Sequence, residues 1–154
     1  MDAMRLIVIN RQALAASDDV VRIMAESWQA QALAQVMGSR LAVTGPPELR
    51  GEALRLSEVG GRGCGALSPP LPGVDGIRAA RLTGIADAQA ALFGLGGLLT
   101  EVGIALVGIA STAEDQGAYW QCMEAIDAAD ECRDRVLEML RRLPALTRLP
   151  DVDP

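Results

Sequence analysis

The stretch from Ile85 to Ala113, IADAQAALFGLGGLLTEVGIALVGIASTA, does most to limit what this chain can become. From Gln89 onward its single charge is Glu101. A segment this apolar has to be hidden, in a protein core or in a bilayer. Its larger side chains fall into heptad register at Ile85, Ala88, Leu92, Leu95, Leu99, Val102, Leu106 and Ile109, the pattern of a seam between packed helices. A second stripe is small: Ala90, Gly94, Gly97, Ala105 and Gly108, interrupted by Glu101. Glycine costs about 1 kcal/mol against alanine inside a helix. A row of it predicts that another backbone comes close. The stretch reads as the central helix of a bundle, covered by the others.

The rest of the chain supports that architecture. At 154 residues it fits one domain with a real core, and 50% of it is apolar while only 3% is aromatic. An aliphatic, alanine-rich core favours closely packed helices over a sheet, which draws on β-branched and aromatic residues. The expected fold is all-α, an up-down bundle of four to five helices. One domain is expected over residues 1–143, with a long Gly/Pro-rich loop at 60–76 and a frayed tail at 144–154. The spine is a helical hairpin, 77–111 and 115–143.

The other elements follow from local signals. Met4–Ala16 mixes a β-branched run with strong helix formers and reads as a helix. Ser17 before Asp18 and Asp19 is the expected N-cap of the next, which runs to about Val43 with Val21, Met24, Trp28, Ala32 and Val36 inward. Pro46 and Pro47 open a short helix that buries Leu49, Ala53 and Leu56, and Gly60 is expected to end it. Ser111 and Glu114 have capping-box spacing ahead of the last helix. The buried stripe there is Tyr119, Cys122, Ile126, Ala129, Val136, Leu140 and Leu143.

Composition excludes several chemistries. All fourteen basic residues are arginine and histidine is absent, which removes Ser-His-Asp and Cys-His catalysis, HExxH zinc sites and histidine-containing di-iron bundles. The arginine bias fits a high-GC genome. A net charge of −6 argues against nucleic acid, which needs a clustered basic face. The three cysteines include no C-x-x-C. On one helix Cys122 and Cys132 lie ~15 Å apart, too far for a disulfide, so reduced thiols in the cytoplasm are expected. The first residues, MDAMRLIVIN, lack the pattern of a signal peptide.

Three groups of residues are candidate sites. Glu101, Asp130 and Arg133 form a polar pocket if the hairpin turns near residue 113, which sets Glu101 opposite Ile126, Gly97 opposite Asp130 and Gly94 opposite Arg133. The alternative for them is a buried ion pair that sets register, or a solvent-facing groove. Glu124, Asp127, Glu131, Asp134 and Glu138 share one face of the last helix, suited to a basic partner or, through their ExxD pairs, to Mg²⁺ with phosphates. In the 60–76 loop, GGRGCG offers Arg62 and Cys64 around a backbone nest for an anion, against an ordinary packed loop. The adjoining Pro69-Pro70-Leu71-Pro72 fits PxxP as well as a linker.

Two resemblances bear on function. Glu131-Cys-Arg-Asp134-Arg-Val-Leu is similar to the ExxD helix of the all-α MazG-like nucleotide pyrophosphohydrolases, which implies Mg²⁺-dependent hydrolysis. That family also needs an upstream ExxE pair, which Glu48, Glu52 and Glu58 do not supply. The stretches GGRGCG, EVGIALVGIAS and YWQCMEAIDAADE resemble a small helical family of unknown function from filamentous actinobacteria, implying a cytosolic helical protein without an assigned site. The reading that follows is a non-enzymatic interaction or regulatory module without a cofactor, with a protein partner or a second copy of itself. Its rivals are the hydrolase and a single membrane span. Against the span, Glu101 sits at the segment's centre, where a charge costs about 2.5–3.5 kcal/mol on insertion scales.

Overall fold

The computed structural model describes residues 1–67 and 76–147, so the Pro69–Pro72 motif and the last residues of the expected tail lie outside it. The helices are α1 (Ala3–Ala15), α2 (Val20–Thr44), α3 (Arg50–Leu67), α4 (Ala88–Thr112) and α5 (Gln116–Thr147). Single 3-10 turns occupy Pro47–Leu49 and Arg78–Arg81. Among the described residues the extended backbone contributes one parallel bridge, Asp2 to Gly84, and no strand. The fold is an all-α bundle of five helices, as the patterning predicts.

Aspartates start most of the helices. Asp2, Asp19 and Asp87 each accept a hydrogen bond from a first-turn N–H of α1, α2 and α4. Asp19, not Ser17, is thus the cap of α2; the Ser17 hydroxyl turns back to the Ala13 carbonyl at 2.8 Å. The Ser111–Glu114 box does not form either. Ser111 lies inside α4 and bonds to the Gly108 carbonyl, while Asp115 accepts from the Gly117 and Ala118 N–H groups at the start of α5. Helix α5 also continues through Pro144 to Thr147, beyond the expected end at 143.

The centre of the bundle is α2 rather than α4. Every residue from Ser27 to Ala34 is buried, an unbroken run that needs neighbours on all sides. α1, α3 and α4 pack on it, and Gln31 reaches α5 by donating to the Ala125 carbonyl at 3.2 Å. The expected inward residue Val21 is exposed, because the first turns of α2 project beyond this core.

Glycine brings backbones together on α2 and α3. A Cβ on Gly60 would lie 2.7 Å from the Gln35 nitrogen and 2.8 Å from the Gln31 oxygen, and one on Gly38 would lie 2.6 Å from the Ala53 oxygen. Both contacts are with main chain, which has nowhere to move. Gly60 therefore does not end α3. It lets the helix run on to Leu67 against α2, so the expected 60–76 loop is α-helical from Gly60 through Leu67, about two turns.

In α4 the predicted seam holds: Leu92, Leu95, Leu99, Val102, Leu106 and Ile109 are all buried. The helix starts at Ala88, not Ile77, because Arg78–Arg81 is held as a 3-10 turn on α2. Gln29 receives the Arg78 N–H and donates to the Gly76 carbonyl, and the Arg78 guanidinium pairs with Glu26. The middle of the small stripe faces α1: Gly94 lies beneath Ile7 and Met4, and Gly97 beneath the Arg11 guanidinium, while Gly108 faces open space. Side chains, not a second backbone, lie over Gly94 and Gly97.

Candidate functional site

The polar trio does not assemble. Glu101 points to α1, where Arg11 binds its carboxylate at 2.6 Å and is made more basic by that hydrogen bond. Asp130 and Arg133 lie on the opposite flank of α4. The hairpin register explains the separation. Gly103, not Gly97, faces Asp130, and Gly96 faces Val136.

Two open grooves result, one on each side of α4. Between α1 and α4 a cavity of about 420 Å³ is lined almost wholly by apolar surface, with Leu14, Ala15, Ile104 and Ala105 under the Arg11–Glu101 pair. Between α4 and α5 a cavity of about 300 Å³ is lined by Thr100, Gly103, Ile104, Val107 and Ile126, with Asp130 and Arg133 on its α5 wall. Ile104 lines both and forms the ridge between them.

The α5 carboxylates are only partly free. Glu131 accepts from Arg62 on α3 at 2.8 Å, and Glu138 is held by Arg141 and Arg142. Glu124, Asp127 and Asp134 face solvent. Among the described residues no three Cys, Asp or Glu side chains gather at a distance that would hold a metal ion. Arg62 and Glu131, candidates from separate sets, are thus one inter-helix ion pair. The anion nest has no structural basis, since GGRGCG is α-helical.

Burial governs the thiols. Cys64 is pushed up to about 11 by loss of solvent and donates to the Trp28 carbonyl at 3.7 Å. Cys132 is pushed up to about 12, by burial first and then by the Glu131 charge, and its sulfur contacts the Gln31 amide oxygen at 3.7 Å. Both are held neutral and packed. Neither has the environment of a nucleophile.

The surface that stands out was absent from the candidate set. Phe93 is 76% exposed, Ile104 69% and Val107 54%, all along one side of α4. Thr100 is exposed on the same line. The spacing of seven, four and three residues is itself a helical stripe, parallel to the seam and readable from the sequence. It was hidden by the assumption that so apolar a helix has no outer face. Among the described residues α4 is also the helix long and apolar enough to cross a membrane, with 44% of its most apolar window buried in the bundle.

These features define a five-helix all-α protein with a line of exposed apolar side chains on α4 beside a groove that carries Asp130 and Arg133. The chain belongs to the family of unknown function DUF6099, which it matches over residues 1–142. That match takes in α1 to α4 and most of α5. No curated protein and no solved structure matches the chain.

Proposed function

We propose that the protein is a non-enzymatic interaction module of the cytoplasm that meets a protein partner through the outer face of α4 and the adjoining groove of α5. Its arginine-only basic set fits a high-GC organism such as a filamentous actinobacterium. The observation that carries the functional reading is the exposure of Phe93, Ile104 and Val107 along one line of α4. Large apolar side chains exposed along one line of a helix support a contact site, since monomers rarely leave extended apolar surface uncovered. Transfer to water costs about 25 cal/mol per Å² of apolar area, so covering the ridge supplies a driving force. The groove beside it contributes Asp130 and Arg133, polar groups suited to fixing a partner's orientation.

A membrane span would use the same helix. It would also have to expose Leu92, Leu95, Leu99 and Leu106, which the bundle covers, and to break the Arg11–Glu101 pair. Those contacts support the bundled reading. For the hydrolase, no observation adds to the seven-residue resemblance.

Photo-crosslinking in the native cell tests the proposal. A benzophenone amino acid at Ile104 should give discrete protein adducts, and one at Arg55, exposed on α3, should not. Equal yields at the two positions, or adducts at Ile104 with lipid alone, would overturn it.

A further inference from the structure

The face just described contains a self-complementary pattern on α5. One row of α5 carries Met123, Ile126, Asp130, Arg133, Leu137 and Leu140, at alternating spacings of three and four, and Ile126, Asp130 and Arg133 of it line the groove. This is heptad spacing, with Met123, Asp130 and Leu137 in one position and Ile126, Arg133 and Leu140 in the other. The row reads the same in both directions about a point midway between Asp130 and Arg133. Two apolar residues lie on each side, and the central pair carries opposite charges.

From this we infer that the partner is a second copy of the chain, docked through α5 in antiparallel register about a two-fold axis between Asp130 and Arg133. The inference rests on the interaction reading above and names its occupant. In this register Asp130 of each copy meets the partner's Arg133, Ile126 meets the partner's Leu137, and Met123 meets the partner's Leu140. An isologous interface requires that a surface complement itself, residue i meeting j and j meeting i.

Most of these side chains reach the surface. Asp130, Arg133 and Leu137 are exposed, Met123 and Leu140 are half-buried, and Ile126, buried at the floor of the groove, shows only its edge. Among the described residues neither Asp130 nor Arg133 has an ion-pair partner, although most of the arginines near α5 do. Thr100, Ile104 and Val107 stand on the facing wall and would be drawn into the same contact, closing the two α4–α5 hairpins into a four-helix core. A charged pair in such a seam specifies register and orientation more than strength. Asp127 and Asp134 remain at the rim, where their mutual repulsion opposes the pairing and is screened over about 8 Å at physiological salt.

Sedimentation equilibrium at physiological salt reads the prediction directly. The wild-type chain should have twice the monomer mass. Asp130→Arg and Arg133→Asp should each weaken the dimer by about a hundredfold, because like charges then face each other across the axis. An equimolar mixture of the two variants should recover dimer mass, since each supplies the charge the other lacks. Both positions are exposed, and an unchanged circular dichroism spectrum verifies the fold. A monomeric wild-type chain overturns the inference, while discrete adducts at Ile104 would leave the wider interaction reading standing. A dimer that survives both single substitutions, or variants that fail to recover on mixing, also overturns it. If that dimer survives Ile104→Asp and Phe93→Asp and no adducts form at Ile104, the wider reading falls too.

Discussion

Arg11 of α1 clasps Glu101 of α4 across 90 residues of sequence, with Nε 3.2 Å from each carboxylate oxygen and Nη2 2.6 Å from one. The lone charge of the apolar helix is therefore a fastening point for the first helix.

Because the two side chains are 43% and 41% exposed, the pair contributes little net stability despite its geometry. Glu101→Gln should lower the unfolding free energy by less than about 1 kcal/mol, as measured by urea denaturation. A loss several times larger would mean that α1 depends on this contact rather than on Leu6 and Ile7.

Glycines in the same helices should respond in opposite directions. Gly60→Ala and Gly38→Ala drive a methyl group into backbone and should each cost about 1–3 kcal/mol. Gly51→Ala has no neighbour within 4 Å and should gain roughly 0.5–1 kcal/mol from helix propensity. Thermal unfolding of the three variants checks this. If all three shift the same way, the α2–α3 contact is not where the structure places it.

The Glu26–Arg78 pair is far less exposed, at 16% and 12% for the two side chains, and Glu26 also accepts from Asn10. Glu26→Ala should cost about 2–4 kcal/mol, because it leaves Arg78 largely buried without its carboxylate. Arg62→Ala, which breaks the exposed pair with Glu131, should cost under about 1 kcal/mol. Chemical denaturation of both variants gives the comparison.

The thiols predict an alkaline limit to stability. Cys64 and Cys132 hold their protons more tightly when folded, so the folded state is favoured below the ordinary thiol range. That contribution is lost as pH rises above about 9 toward their folded values. Unfolding midpoints should decline over this window, and Cys64→Ala should flatten part of the decline. At pH 8 neither of these two thiols should react rapidly with Ellman's reagent until denaturant is added.

How much was legible depended on whether the signal was local. The α4 seam from Leu92 to Ile109 could be read because heptad spacing is a property of neighbours in sequence. Leu49, Ala53 and Leu56 were readable for the same reason. Gly60 and Gly63 misled because a glycine against another helix has the same sequence signature as a glycine that ends one. The site was less legible. Arg11 could not be matched to Glu101, nor Arg62 to Glu131, without knowing which helices lie side by side. For Asp130 and Arg133, a hairpin register counted from the turn gives the wrong facing glycines, because the turn length is not a local signal. Phe93, Ile104 and Val107 escape a reading by total hydropathy, because a helix can be apolar on every side and still be covered on only part of it.

The continuous burial of Ser27–Ala34 has one more consequence. With α2 enclosed by neighbours drawn from both ends of the chain, the domain has no half that keeps a core when the other is removed. The α2–α3 pair would lose the cover that α4 gives it, and the α4–α5 hairpin would lose the floor it rests on. Cooperativity is thus built into the connectivity, and truncated pieces of this protein should not fold as smaller versions of it.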